Sequence, residues 1–173
     1  SPNDMQWFLD AKFGMFIHWG PVSQMGGDLS WSRAGEKRGW NAPSPGYIPV
    51  DVYDNLYKKF NPVDYDPVKW VETAKAAGMK YIVFTTKHHD GFSMFDTKYS
   101  DYKITSPESP YRKDIVAALA KACHDAGIKL GFYYSQPDWH NPDFLSSNHA
   151  DYLKYMKNQL KELCTNYGKV DLI

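Results

Sequence analysis

Three times in this chain of 173 residues a helical pattern stops at a glycine and passes through a lysine into an apolar run. Gly78-Met79-Lys80 leads into the run ending at Thr86, Gly127-Ile128-Lys129 into the run ending at Tyr134, and Gly168-Lys169 into Val170. The runs are continuous rather than alternating, which marks strands buried on both faces. Such strands separated by helices form right-handed βαβ units and a parallel sheet. The fold class is therefore α/β.

The helices carry their own punctuation. Asp66-Pro67 offers an N-cap and a proline at the first helical position, followed by Trp70, Ala74 and Ala77 at helical spacing. Ile115, Leu119, Ala122 and Ala126 mark a second helix, and Leu153, Met156, Leu160, Leu163 and Tyr167 a third. A short aromatic turn of helix precedes one earlier strand, Lys12 to Trp19, which reads as buried. Parallel strands are expected near residues 13–18, 80–86, 128–134 and from 170. A (β/α)8-like (TIM) barrel needs eight strands and typically about 250 residues. Val170-Asp171-Leu172-Ile173 stops inside an apolar run, and an open half-barrel would leave long unpaired edges. Residues 1–173 thus read as the N-terminal portion, about the first half, of one catalytic (β/α)8-like barrel domain.

In such barrels reactive side chains stand at the carboxyl ends of the strands. The first strand ends in Phe16-Ile17-His18-Trp19-Gly20, and the next runs into Lys87-His88-His89-Asp90-Gly91-Phe92. Two irregular stretches, Pro21 to Pro49 and Ser135 to Ser147, follow strands on that same face, the second holding Asp138-Trp139-His140. Long loops inside compact domains are usually functional. Three imidazoles converging with indoles suit a polar ring with an apolar face, such as a sugar. The aromatic content of 16 % is compatible with that use as well as with a core.

Formal charge is zero and the pI is near 7, so no electrostatic footprint for nucleic acid or anionic lipid is present. No stretch approaches the roughly 20 apolar residues of a membrane span. Cys123 and Cys164 fall on different helices and leave the redox compartment open. Ser1-Pro2-Asn3-Asp4 reads as a mature or trimmed start.

With these motifs in order, the chain resembles the α-L-fucosidases of glycoside hydrolase family 29. The matching pieces are Trp7-Phe8, Ala11-Lys12-Phe13-Gly14, His18-Trp19-Gly20 and Phe60-Asn61-Pro62. They continue with Trp70 to Gly78, Tyr81, Thr86 to Phe92, Arg112, Asp114, Gly131 to Ser135 and Asp138-Trp139. The resemblance implies a retaining exo-glycosidase acting on fucosylated glycans or glycoconjugates, with no metal or organic cofactor. It favours a secreted, periplasmic or lysosomal setting. It assigns fucose hydroxyls to His18, His88 and His89, and a pocket-lining role to a tyrosine of the third strand. Alternation along that strand puts Tyr133, rather than Tyr134, on the face of Gly131 and Ser135. It also implies that the nucleophilic aspartate lies just beyond Ile173 and the general acid later still, so no catalytic carboxylate is expected within this chain; Asp171 sits mid-strand. Members commonly carry a Glu-Trp pair in the loop after the first strand. Here Trp31 takes the tryptophan's place and Ser30 stands where the glutamate would be, which makes a galactose-configured sugar the second candidate substrate.

Other readings compete. His18, His88, His89 and Asp90 could serve a zinc hydrolase, since catalytic zinc takes three protein ligands and an open position. Against it, adjacent histidines on an extended chain point to opposite faces. A non-catalytic sugar-binding relative would keep the aromatics and histidines without later carboxylates. His124, His140 and His149 read as structural or surface groups, and Asp90 as a brace for its loop. Trp7 and Trp70 read as core. Trp139 divides evenly between pocket and scaffold, as Phe92 and Phe95 do between core lining and sugar platform. Lys154, Lys157 and Lys161 read as a solvated helix face.

Overall fold

The computed structural model describes residues 5–35 and 46–173; Ser1 to Asp4, and Gly39, Pro43 and Pro45 of the long loop, lie outside the described residues. The elements in chain order are α1 (Gln6–Ala11), β1 (Met15–Ile17), α2 (Val50–Tyr53), α3 (Pro67–Ala76), β2 (Tyr81–Lys87), α4 (Ile115–Ala126), β3 (Lys129–Tyr134) and α5 (His149–Asn166). Two 3-10 turns, Pro21–Met25 and Leu56–Lys58, break up the stretch between β1 and α3.

The strands form one parallel sheet in the order β1-β2-β3, with Met15 beside Ile82 and Ile82 beside Leu130. The helix ends follow the punctuation in the sequence. Asp66 accepts a hydrogen bond from the Lys69 N–H at 3.1 Å and is followed by Pro67 at the first helical position. Asp114 does the same for α4, accepting from Ala117 at 2.8 Å. Gly127 ends α4 at φ +66, a backbone conformation that glycine reaches without the Cβ penalty.

Between sheet and helices lies one continuous core. Ile82, Phe84, Leu130 and Phe132 from the strands meet Val71 and Ala74 of α3 and Ile115, Leu119 and Cys123 of α4. Burying each large apolar side chain contributes roughly 1.5–3 kcal/mol. Phe92 and Phe95 are buried in this core, which decides them against a sugar platform. Trp70 packs on the core edge as expected, whereas Trp7 is half-buried outside it, edge-on to Tyr81 at 6.0 Å.

Three expectations need correction. The first strand is shorter and less covered than its apolar run suggests: it spans three residues, and Phe16 is 53 % exposed. The run beginning at Val170 makes a single parallel bridge, Leu172 to Gly131, supported by Asp171 N–H to Leu130 O and Phe132 N–H to Leu172 O. It is not a strand. Helix α5 is turned relative to its apolar stripe: Leu153 is exposed, while Gln159 and Glu162 are buried with Tyr152 and Leu163. The cause is polar. Glu162 accepts from the Thr97 hydroxyl at 2.6 Å and the Lys98 N–H at 3.0 Å, and Gln159 accepts from the Tyr134 hydroxyl at 2.6 Å. The segment after β2 has no ladder to satisfy these groups, so α5 does. Lys154, Lys157 and Lys161 face solvent.

Candidate functional site

The carboxyl end of β2 carries a bulge. Thr85 pairs with Tyr133, but Lys87 rather than Thr86 pairs with Tyr134, so the ladder slips by one residue just before the histidine pair. Bulges near sheet ends re-aim the side chains that follow. The chain then turns, with the Gly91 N–H donating to the His88 carbonyl at 3.0 Å. As a result the two imidazoles lie side by side, ring centres 4.2 Å apart. This corrects the extended-chain argument that adjacent histidines must face opposite ways: they do so within a ladder, and residues 88 and 89 have left it.

Around this pair the six residues singled out from the sequence meet in one ring cluster. His18 lies 5.5 Å from His88 and 6.0 Å from Tyr133, and His88 stacks on Tyr133 at 5.4 Å. On the other side His89 meets Trp31 and Trp139, each at 5.2 Å, and the two indoles stand 5.6 Å apart. Tyr134 points elsewhere, its ring 4.5 Å from the Lys87 ammonium, as strand alternation requires. Phe16, at the start of the same strand-end motif, adds an exposed ring 4.3 Å from His18.

The loop bearing Trp31 is pinned to the histidine turn by buried hydrogen bonds. The Tyr53 hydroxyl donates to Asp90 Oδ2 and accepts from the Ser30 N–H, both at 2.7 Å. Ser30 Oγ accepts from the Asp90 N–H at 2.9 Å and lies 2.6 Å from His88 Nδ1. Ser30, placed by sequence where a sugar-touching glutamate would stand, is thus wholly buried behind His88. Arg33 holds the same loop through a two-point ion pair with Asp54 at 2.7 Å. On the far side the Trp139 backbone N–H donates to the His89 carbonyl at 2.7 Å, and Ser135 Oγ lies 2.5 Å from His89 Nδ1.

Electrostatics keep the imidazoles neutral. Burial, reinforced by the neighbouring histidines and Lys87, pushes His88 down to about 3; burial and Lys87 push His89 down to about 4. His18 is lowered by burial and partly restored by Asp28, an exposed carboxylate at the start of the Trp31 loop that the sequence reading did not single out. Asp90, fully enclosed, is raised to about 6 by burial. It accepts from Tyr53 and from the Phe92 N–H, and so braces its loop as expected.

Three further acids are engaged too, Asp171 at the amino end of β3, away from the cluster. Asp138 pairs with buried Lys87, Asp96 with Lys103 and Thr105, and Asp171 with Lys129 and Lys169. The remaining histidines are structural: His124 bonds the Lys169 carbonyl, His140 stacks on Tyr102, and His149 accepts from the Leu145 N–H. Among the described residues no three His, Cys, Asp or Glu side chains form a group that could hold an ion. No helix among them is long and apolar enough to cross a membrane.

A cluster of aromatic rings and neutral imidazoles can cover one face of a small polar ring and hydrogen-bond its hydroxyls. Comparison with known proteins points the same way. A family model described as alpha-L-fucosidase matches residues 2–173. Alpha-L-fucosidase 1 of Arabidopsis thaliana is 32% identical over 98% of this chain, and plasma alpha-L-fucosidase of Homo sapiens is 34% identical over 93%. Among solved structures, a Bacteroides thetaiotaomicron GH29 alpha-L-fucosidase, trapped as a covalent intermediate with 2-fluoro-fucosyl fluoride, superimposes with a TM-score of 0.79 at 36% identity over 97% of this chain. The chain spans 29%, 37% and 40% of the lengths of these three proteins.

Proposed function

Since this chain belongs to the alpha-L-fucosidase family, we propose that the protein carrying it is a retaining exo-glycosidase that removes terminal α-L-fucose from glycans or glycoconjugates. In this reading the chain is the first part of a (β/α)8-like barrel and supplies much of the sugar pocket. His18, His88 and His89 bond the hydroxyls, and Trp31, Tyr133 and Trp139 enclose the ring. The observation that carries it is the meeting of all six side chains where the parallel strands end. It adds to the family membership because sequence-distant loops build the cluster. Neutral imidazoles suit the role, since each can donate or accept without bringing a charge onto an uncharged sugar.

The chemistry needs two carboxyl groups about 5–5.5 Å apart, one as nucleophile and one as acid/base. Asp90, Asp96, Asp138 and Asp171 are each held by other partners, which supports assigning both roles to residues beyond Ile173. The test is calorimetry on the full-length protein with fucose or an iminosugar analogue. Alanine at His18, His88 or His89 should each weaken binding by about 1–3 kcal/mol, roughly tenfold to a hundredfold. Unchanged affinity in all three variants would make the histidines scaffold. A galactose-configured analogue, run beside fucose, reads what Ser30 in place of a carboxylate does to sugar choice.

A further inference from the structure

The two adjacent imidazoles are each tied through Nδ1 to a serine, but the two serines are not equivalent. Ser30 Oγ has two neighbours in bonding range: the Asp90 N–H, which can only donate, and His88 Nδ1. A hydroxyl carries one proton. Among the described residues His88 Nδ1 is the only acceptor in reach of the Ser30 proton, and Ser30 is shut off from solvent. Leaving that proton unbonded in the interior is costly. Ser30 therefore donates to His88, whose own proton must sit on Nε2.

Ser135 stands the other way round. Its hydroxyl donates to the Pro137 carbonyl at 2.7 Å, so toward His89 Nδ1, at 2.5 Å, it can only accept. Tyr133, whose hydroxyl also lies beside Ser135, can use the second lone pair. His89 then carries its proton on Nδ1 and leaves Nε2 bare.

We propose that Ser30 and Ser135 are positioning residues that lock His88 and His89 in opposite tautomers, so that the pocket presents a donor and an acceptor side by side. Neither Nε2 bonds to protein among the described residues, and Ser109 Oγ is the one enclosed side-chain polar atom there without a partner. Both Nε2 atoms therefore meet solvent and are open to a ligand. A hydroxyl facing His88 is read through its oxygen, and one facing His89 through its proton. The depressed imidazole pKa values keep both rings neutral, as a fixed tautomer requires. The ligand half of this proposal rests on the sugar-pocket reading; the tautomer half does not.

The test begins with ligand-free full-length protein labelled with nitrogen-15 in its histidines, near pH 7. Two-bond proton–nitrogen correlation separates a protonated ring nitrogen from a bare one. His88 should show the Nε2–H pattern and His89 the Nδ1–H pattern, the less common form of a free imidazole in water. Ser135→Ala should let His89 revert to Nε2–H, and Ser135→Thr, which keeps a hydroxyl, should restore Nδ1–H. Matching tautomers on the two histidines of the unaltered protein would overturn the proposal, whether or not the variants fold. With opposite tautomers in place, Ser135→Ala should bind an iminosugar about tenfold more weakly. Opposite tautomers with unchanged affinity would leave the lock standing and overturn the sugar-pocket reading instead.

Discussion

The Lys87 ammonium lies 2.8 Å from Asp138 Oδ2, both side chains almost completely enclosed, and this ion pair ties the end of β2 to the loop that carries Trp139. Asp138 also accepts from the N–H groups of His140 and Asn141, so its carboxylate shapes that loop as well as neutralising Lys87. Breaking a buried pair leaves one uncompensated charge and costs about 3–5 kcal/mol, whereas replacing both charges costs far less. Lys87→Met should therefore destabilise the protein by about that amount in urea unfolding. Adding Asp138→Asn, which keeps an acceptor for the two N–H groups, should recover part of the loss. A double variant no more stable than Lys87→Met alone would mean that the stranded carboxylate is not the cause.

Gly91 depends on the same carboxylate. It stands at φ +80, and a Cβ built there would lie 2.3 Å from Asp138 Oδ1 and 2.9 Å from His140 Cβ. Both contacts are too short, and left-handed backbone adds its own strain for a residue with a side chain. Gly91→Ala should lower stability by about 1–3 kcal/mol. It should also weaken sugar binding, because the turn closed by Gly91 sets both histidines. Paired unfolding and calorimetry measure the two effects. A variant of unchanged stability and affinity would show that the turn can relax without moving its side chains.

What could be read from the sequence depended on whether a signal was local. Helix α3 is bracketed by cap, proline and glycine, and α4 is an apolar stripe ended by a glycine, each signal lying within a few residues, and their expected limits stand. The cluster was legible because strand-end histidines in a parallel sheet share one face wherever the loops go. The bulge at Thr86 was not, since it depends on the partner strand, and with it went the side-by-side placement of His88 and His89. The role of Ser30 was hidden for a similar reason: its partners are 58 and 60 residues away. Glu162 and Gln159 look like a solvent face until the polar segment from Ser93 to Lys98 is laid against them.

The depressed histidine pKa values make stability depend on pH in a definite direction. Unfolded, His88 and His89 bind protons as pH falls below 6.5; folded, they stay neutral until about 3 and about 4. The unfolded chain thus takes up more protons in that interval, and stability falls as pH drops from 6.5 toward 3. Asp90 acts oppositely: raised from 3.8 to about 6, it favours the folded state as pH falls through that range and offsets part of the loss. The expected net result is a melting temperature that declines on acidification below about pH 6.5. His88→Asn and His89→Asn should each flatten the decline, while Asp90→Asn should steepen it. A decline that His88→Asn and His89→Asn both leave unchanged would mean that these histidines ionise alike folded and unfolded.

Asp28 and His18 give the most direct reading of charge at the edge of the cluster. His18 is exposed at the cluster's edge, and its ring contacts with Phe16, His88 and Tyr133 partly desolvate it and lower its pKa. Asp28 opposes that shift through its charge, since a nearby anion stabilises the imidazolium. Asp28→Asn removes the anion and leaves the burial, so the His18 pKa should fall further below 6.5. Asp28 is exposed, so raising the ionic strength should screen its effect and shift the unaltered protein in the same direction. Proton NMR titration of the His18 ring, at low and high salt, measures both. A His18 pKa that rises in Asp28→Asn, or ignores salt while responding to the substitution, would show that Asp28 acts through the shape of the Trp31 loop rather than through its charge.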